Sequence, residues 1–190
     1  MRKILLATAV AAAAFVLPAG ASAAPSVLTV DLDRVLSECT ACRSASASIQ
    51  SQVQAGQARA QALEAQLKPE ATALDAAARA LNGKDADAAL KKRANDFQAR
   101  QQAAQTELAN KQRAIESTQA NVQQQIASKV VVVAEQVRVR RQADIVIGKN
   151  ATLASNPAND VTAEVLAALN AALPSVSVTP LPQQNRPTGR

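Results

Sequence analysis

The chain has 190 residues, with 21 Lys and Arg against 15 Asp and Glu, and it contains no His, Trp or Tyr. Without His it can build neither a Ser–His–Asp triad nor a His-based zinc site, and it has no glycine-rich phosphate loop. We therefore expect no enzyme and no cofactor. With only two Phe it also lacks the side chains that fill a compact core, whereas its 45 Ala and 19 Gln favour long helices.

The first residues have the pattern of a secretory signal. Met1–Lys3 is positively charged, Ile4–Leu17 is an uncharged apolar run, and a small-residue A-x-A box ends at Ala23. We predict a signal peptide over residues 1–23, with cleavage between Ala23 and Ala24. The alternative is a transmembrane anchor, for which the apolar run is short. Export would place the two cysteines where disulfides form.

Short elements are predicted near both ends of the remaining chain. Val27–Val30 is β-branched and follows a proline, which is typical of a strand. A short helix follows over Asp31–Glu38, with its first residue as the N-cap. Asp144–Gly148 is a second predicted strand, and Ala151–Ala154 is a candidate third.

Between the strands, residues 43–142 are predicted to form a long antiparallel helical hairpin. Asn82–Gly83 interrupts the pattern, and both residues tolerate the left-handed backbone that ends a helix. We expect Asp85 to cap the second helix and Pro69 to kink the first, which would be roughly 60 Å long. Apolar residues recur at steps of three and four, as in a coiled-coil seam: Ile49, Val53, Ala60, Leu63, Leu67, Leu74, Ala77 and Leu81, then Leu90, Ala94, Phe97, Ala104, Leu108, Ile115, Val122, Ile126, Val130, Val133 and Val137.

A last helix is predicted after the second strand, followed by an irregular tail. Asp160 suits the N-cap position, and apolar residues such as Val165 and Leu169 line one face until Pro174. Three further prolines follow, so residues 174–190 are predicted to be disordered.

The predicted end elements form one body, built from residues 24–42 and 143–173. Such short segments bury too little apolar surface for a secure core in a single chain. Oligomerisation would solve this, because strands from neighbouring subunits could close a shared sheet.

Cys39 and Cys42 form a CxxC motif. A thioredoxin-like redox pair would need a βαβ context, and zinc would need ligands that this chain lacks. The motif instead follows a short helix and leads into the predicted coiled coil, in register with its seam. A structural disulfide, within or between subunits, or two packed thiols, is the favoured interpretation.

Four basic residues cluster near the predicted hairpin turn: Lys84, Lys91, Lys92 and Arg93. On long helices such charges are most often a solvated face. The functional interpretation is a surface that attracts anionic partners, either acidic unfolded chains or anionic lipid headgroups. Nucleic acid is not favoured for an exported chain whose one aromatic residue outside the predicted signal peptide is Phe97, in the predicted seam.

The order of motifs resembles the Skp/OmpH family of periplasmic chaperones. The sequence V-D-L-x-R-V-L at Val30–Leu36 precedes the Ala- and Gln-rich hairpin, and Asp144–Gly148 and Asp160–Leu166 follow it. The resemblance extends to about Leu173. The Cys39–Cys42 pair is not part of it, and the arms here are richer in Ala and Gln than in charge.

The resemblance implies a homotrimer with a small β-rich body and three helical arms around a cavity. It also implies an ATP-independent holdase of the periplasm that binds unfolded outer-membrane β-barrel proteins and keeps them soluble for assembly. The residues that the resemblance places in the oligomer body are Val27, Leu28, Val30, Ile145, Ile147, Val165 and Leu169. Two other hypotheses stay open: a rigid envelope spacer or tether without affinity for unfolded chains, and a disulfide-exchange protein.

Overall fold

The computed structural model of the protein describes residues 26–181, so the predicted signal peptide and the last nine residues lie outside the described part. The predicted fold class is confirmed: the chain is mainly helical, with a small β body and a long helical hairpin between two short strands. The elements are β1 (Val27–Val30), α1 (Leu32–Glu38), α2 (Thr40–Ala80), α3 (Ala88–Arg140), β2 (Ile145–Gly148) and α4 (Thr162–Ala172).

The hairpin turn follows from residues that tolerate a left-handed backbone. Asn82 has φ 45° and Gly83 has φ 84°, and this left-handed backbone follows the end of α2 at Ala80. The Asp87 carboxylate caps α3 by accepting from the Leu90 N–H at 2.7 Å, so the prediction of Asp85 as the cap is wrong. Asp85 lies two residues too early to reach the first turn. Pro69 lies inside α2 and does not end it.

β1 and β2 form a two-stranded parallel sheet. Val27 pairs with Ile145 and Val30 with Gly148, and the hairpin is the long connection that parallel strands require. On its other side β1 makes a single isolated bridge within residues 26–181, between Thr29 and Asp160. The predicted third strand at 151–154 is wrong: residues 149–151 form a 3-10 turn, closed by a hydrogen bond from the Thr152 hydroxyl to the Lys149 carbonyl at 2.8 Å.

The core lies at the root of the hairpin, where β1, α1, α4 and the last turns of α3 meet. Its most deeply buried side chains are Val35, Val133, Val137, Val161, Val165 and Leu169. The N-cap of α1 is Asp31, as predicted, and it accepts from the Arg34 N–H at 2.9 Å. The C-terminal part of α3, predicted as part of the arm, therefore packs with the body.

The distal half of the hairpin is thinly packed. From residue 64 to residue 103 no side chain is buried; the seam residues there are half-buried, except Ala94, which is exposed. Leu63 and Ala104 are the last buried pair before the tip. Since apolar burial is the main stabilising term, the arm is much less stabilised than its root.

The segment that follows α4 is ordered as far as it is described. Val176 and Val178 pack against the core, and residues 177–181 make hydrogen bonds to α2 and α3. The prediction of disorder from residue 174 onward is therefore wrong for 175–181. Prolines exclude regular structure but not an extended segment whose polar backbone groups find side-chain partners.

Candidate functional site

The two end motifs meet in the body through backbone and hydroxyl groups. The Asp31 N–H donates to the Thr162 Oγ1 at 2.9 Å, and the Val161 N–H donates to the Thr29 carbonyl at 2.9 Å. Residues more than 120 positions apart are thus joined at the start of α1 and α4. This junction fixes the root from which the hairpin projects.

Asp160 organises the same junction electrostatically. Its carboxylate accepts from the Thr162 hydroxyl at 2.5 Å, from Lys149 Nζ at 2.9 Å and from the Thr162 N–H at 2.9 Å. These hydrogen bonds lower the pKa of Asp160 from 3.8 to about 2. The prediction of Asp160 as the N-cap of α4 is wrong, because Val161 holds that position and makes no side-chain cap; the Asp160 carboxylate instead binds the N–H of Thr162, the first residue of the helix.

The residues predicted for an oligomer body divide into two groups. Leu28, Val30, Val165 and Leu169 are buried in the chain's own core. Val27 and Ile147 are half-buried, and Ile145 is 46% exposed. Only these last three remain accessible to a second subunit.

An apolar face surrounds the free edge of β2. No described residue pairs with that edge. A groove of about 420 Å³ lies between it and α3, and its lining includes Leu32, Val131, Ile145 and Ile147. Val131 is 69% exposed and Val139, also on α3, is 58% exposed. Exposed β-branched side chains beside an unpaired strand edge are typical of an interaction surface.

Two open apolar grooves follow the hairpin between α2 and α3. The one nearer the tip, about 460 Å³, is lined by residues that include Leu63, Leu67, Phe97 and Ala104. The second, about 420 Å³, is lined by residues that include Val53, Gly56, Ala60, Leu108 and Ile115. The grooves exist because small seam residues leave the long helices incompletely packed.

Ion pairs join the two helices of the arm. Arg59 donates twice to Glu107, at 2.7 and 3.0 Å, which lowers the pKa of Glu107 and raises that of Arg59. Nearer the tip Arg93 lies 3.2 Å from Glu70. Both pairs are largely solvent-exposed, so they orient the helices more than they stabilise them.

The predicted basic tip is partly neutralised. Lys92 pairs with Asp96 at 2.7 Å, and Arg93 pairs with Glu70. Lys84 and Lys91 are exposed and make no ion pair with any residue between 26 and 181. The cluster therefore offers two uncompensated lysines, not four basic charges.

Cys39 and Cys42 are bonded to each other within the chain. Cys39 is the N-cap of α2, and its sulfur accepts from the Cys42 N–H at 3.1 Å. Both residues are buried, Cys39 completely. An exchange reaction needs an accessible sulfur, so this placement favours a structural disulfide over a catalytic one.

Across residues 26–181 no cluster of His, Cys, Asp and Glu could hold a metal ion. In the same range no helix is long and apolar enough to cross a membrane.

Residues 26–169, with the root, the hairpin and most of α4, match the family described as outer membrane protein (OmpH-like). The chain belongs to this OmpH-like family. Among solved structures it is similar to a candidate outer membrane chaperone (OmpH-like) from Caulobacter crescentus CB15, with a TM-score of 0.70 and 23% identity over 86% of this chain and 95% of that one. At this identity the likeness establishes the OmpH-like fold. No curated protein matches the sequence.

Sequence reasoning missed one part of this OmpH-like chain, the segment 175–181 along the hairpin. The signal was present as the alternation S-V-S-V-T, which is typical of an extended chain with one apolar face. The partners of this segment lie 52 to 126 positions earlier in the sequence, and local patterns do not identify such contacts.

Proposed function

We propose that this OmpH-like protein is an ATP-independent holdase of the periplasm that binds unfolded outer-membrane proteins and keeps them soluble for assembly. The observation that carries the proposal is the contrast between a well-packed root and an arm without a buried side chain from residue 64 to 103. Such an arm can adapt to clients of different shape through many weak contacts.

The chemistry of the arm supports this proposal. The grooves along the hairpin offer apolar patches to exposed apolar client side chains. The Gln and Ala residues around them do not select for a particular client sequence. Without Arg2 and Lys3 of the predicted signal peptide the chain keeps 19 basic and 15 acidic residues, a net charge of +4 that would attract acidic chains. The lysines at the tip, Lys84 and Lys91, could also contact anionic lipid headgroups. The fold of the Caulobacter crescentus protein, a candidate outer membrane chaperone, agrees with this role.

We also propose that the working form is a homotrimer assembled through the face around β2. Ile145 and Val131, which line the groove beside β2, are each exposed by 46% or more, and the strand edge is free in the described chain. Association would cover these side chains and place several arms around one client. One arm alone encloses nothing, so the cavity depends on the assembly.

The proposal is tested by light-scattering mass after size exclusion. The protein lacking residues 1–23 is measured alone and after a urea-unfolded outer-membrane barrel has been diluted into it. We expect a trimer alone and a single soluble peak with the client. If the client aggregates as it does without the protein, the holdase proposal fails for this client class and a spacer role becomes the better account.

A further inference from the structure

Residues 175–181 lie as an extended segment along the root of the hairpin. Val176 and Val178 face the core and are half-buried, whereas Ser175, Ser177 and Thr179 between them are exposed. The segment belongs to no sheet, so its backbone groups have no strand partner. Polar side chains of α2 and α3 make hydrogen bonds to these backbone groups instead.

The hydrogen bonds form a regular series. The side-chain amide of Gln125 donates to the Ser177 carbonyl and accepts from the Ser177 N–H, each at 3.0 Å. Asn121 donates to the Thr179 carbonyl at 2.9 Å, and the Leu181 N–H donates to the Ser117 hydroxyl at 3.0 Å.

A fourth side chain that binds the segment comes from the other helix of the hairpin. Gln52 on α2 donates to the Val178 carbonyl at 3.2 Å. All of these contacts are made to backbone atoms of the segment, so none of them depends on its side-chain identity.

The spacing of these contacts matches any extended chain. Ser117, Asn121 and Gln125 are four residues apart along α3, a rise of about 6.0 Å per step. Their partners are two residues apart in an extended segment, a rise of about 6.6 Å. The two repeats stay in register over two steps, from Ser117 to Gln125, with the segment running antiparallel to α3. Residues on one face of a helix can thus bind backbone groups at every second position of a peptide.

Gln52, Ser117, Asn121 and Gln125 line a groove in which residues 175–181 lie. We propose that this groove is a binding site for an extended polypeptide with alternating apolar residues, and that residues 175–181 are its internal occupant. The inference rests on the proposed function, because such alternation is the pattern of outer-membrane β-strands. A client strand would displace the tail, form the same backbone hydrogen bonds and place its apolar side chains where Val176 and Val178 lie.

The space beside the tail agrees with a larger occupant. An open pocket of about 410 Å³ is lined by residues that include Asn121, Gln125, Leu173 and Leu181. The segment itself contributes only small side chains to the groove apart from Leu181. A client strand with bulkier residues would fill space that the tail leaves open.

The test uses a fluorescent peptide with the sequence of residues 175–181 and measures its anisotropy. In the full chain the groove is occupied, so binding should be weak. The variant Val176→Asp with Val178→Asp places charges against the core and should release the tail. We expect the peptide to bind this variant at least tenfold more tightly than the unchanged chain. A chain ending at Pro174 serves as a second tail-free form, and circular dichroism checks that both are folded.

Two controls make the test specific. Adding Gln125→Ala to the tail-released variant should weaken peptide binding about tenfold, since two hydrogen bonds of roughly 1 kcal/mol or less each are lost. Gln123→Ala, an exposed position on the same helix, should change nothing. A peptide with the order S-S-V-V-T-P-L, which cannot place both valines on one face, should bind more weakly.

Equal binding to all chains, or binding that ignores Gln125, would overturn the inference and leave the tail as a fixed part of the fold. The barrel-retention experiment separates this failure from that of the holdase proposal. A protein that retains the barrel but not the peptide refutes the groove alone. Binding of the peptide together with aggregation of the barrel refutes the holdase and supports the groove.

Discussion

Gly56 lies in the middle of α2, where most residues would stabilise the helix better. A methyl group added at this position would lie 3.8 Å from the Ile115 Cδ1, which is an ordinary packing distance. The glycine is therefore not required by a close approach of the two helices. It lowers the stability of the arm near one of its open grooves.

Gly56→Ala should raise the free energy of unfolding by about 0.5–1 kcal/mol, because alanine loses less backbone entropy in a helix and gains a contact. Urea denaturation at fixed protein concentration measures this. Gly83→Ala is the matched control and should destabilise, since its φ of 84° is strained for alanine. A destabilised Gly56→Ala variant would show that the seam is tighter than the structure has it.

Asp160 makes the stability of the body depend on pH. Its folded pKa of about 2 lies below the usual 3.8, so the folded state favours the carboxylate. The stabilisation is complete above about pH 4 and is lost as the pH falls toward 2. We expect a contribution of about 1–2 kcal/mol. Asp160→Asn keeps an acceptor for Thr162 but not the charge. The variant should be less stable than the native chain at pH 6, and the difference in stability between the two proteins should shrink as the pH falls to 2. A constant difference between the two proteins from pH 6 to 2 would refute the assignment.

At the scale of elements, local chemistry predicted more of the structure than long-range contacts did. The three- and four-residue periodicity and the Asn82–Gly83 break predicted the hairpin, and Asp31 was predicted as a helix cap, because these signals act within one turn. Asp85 and Asp87 have identical side chains. Which of them caps α3 depends on where the helix begins, and it begins at Ala88, directly after Asp87. The third strand was mispredicted because a local turn at Lys149–Ala151 takes its place, and the tail because its partners lie far away in the sequence.

The disulfide joins the end of α1 to the first turn of α2. Replacing both cysteines, Cys39→Ala with Cys42→Ala, should lower the free energy of unfolding by about 2 kcal/mol in the chain-entropy picture of a short loop. Retention of an unfolded barrel should be unchanged at temperatures where the variant is folded. Denaturation and the light-scattering experiment measure the two effects. Loss of retention without loss of stability would instead favour a redox role.

For the whole molecule, the exposed face around β2 is the proposed assembly interface. The double variant Ile145→Asp with Val131→Asp should dissociate the proposed trimer, because two carboxylates would be desolvated at the interface. The monomer fold should persist, since both side chains are largely exposed in the single chain. Leu153→Asp, at a fully exposed position away from this face, is the control. Sedimentation velocity gives the mass, and an unchanged mass for the double variant would place the interface elsewhere.

The central claim is that the thinly packed arms retain unfolded clients. It is tested most directly by shortening the arm without disturbing its root. Deleting residues 66–79 and 89–102 removes two heptads from each helix, keeps the seam in register and leaves every buried residue in place. This variant should keep its number of subunits and its thermal stability but no longer hold a urea-unfolded outer-membrane barrel in one soluble light-scattering peak. Full retention by the shortened protein would contradict the account, because the root and the groove under residues 175–181 would then be sufficient and the distal arms would not be needed.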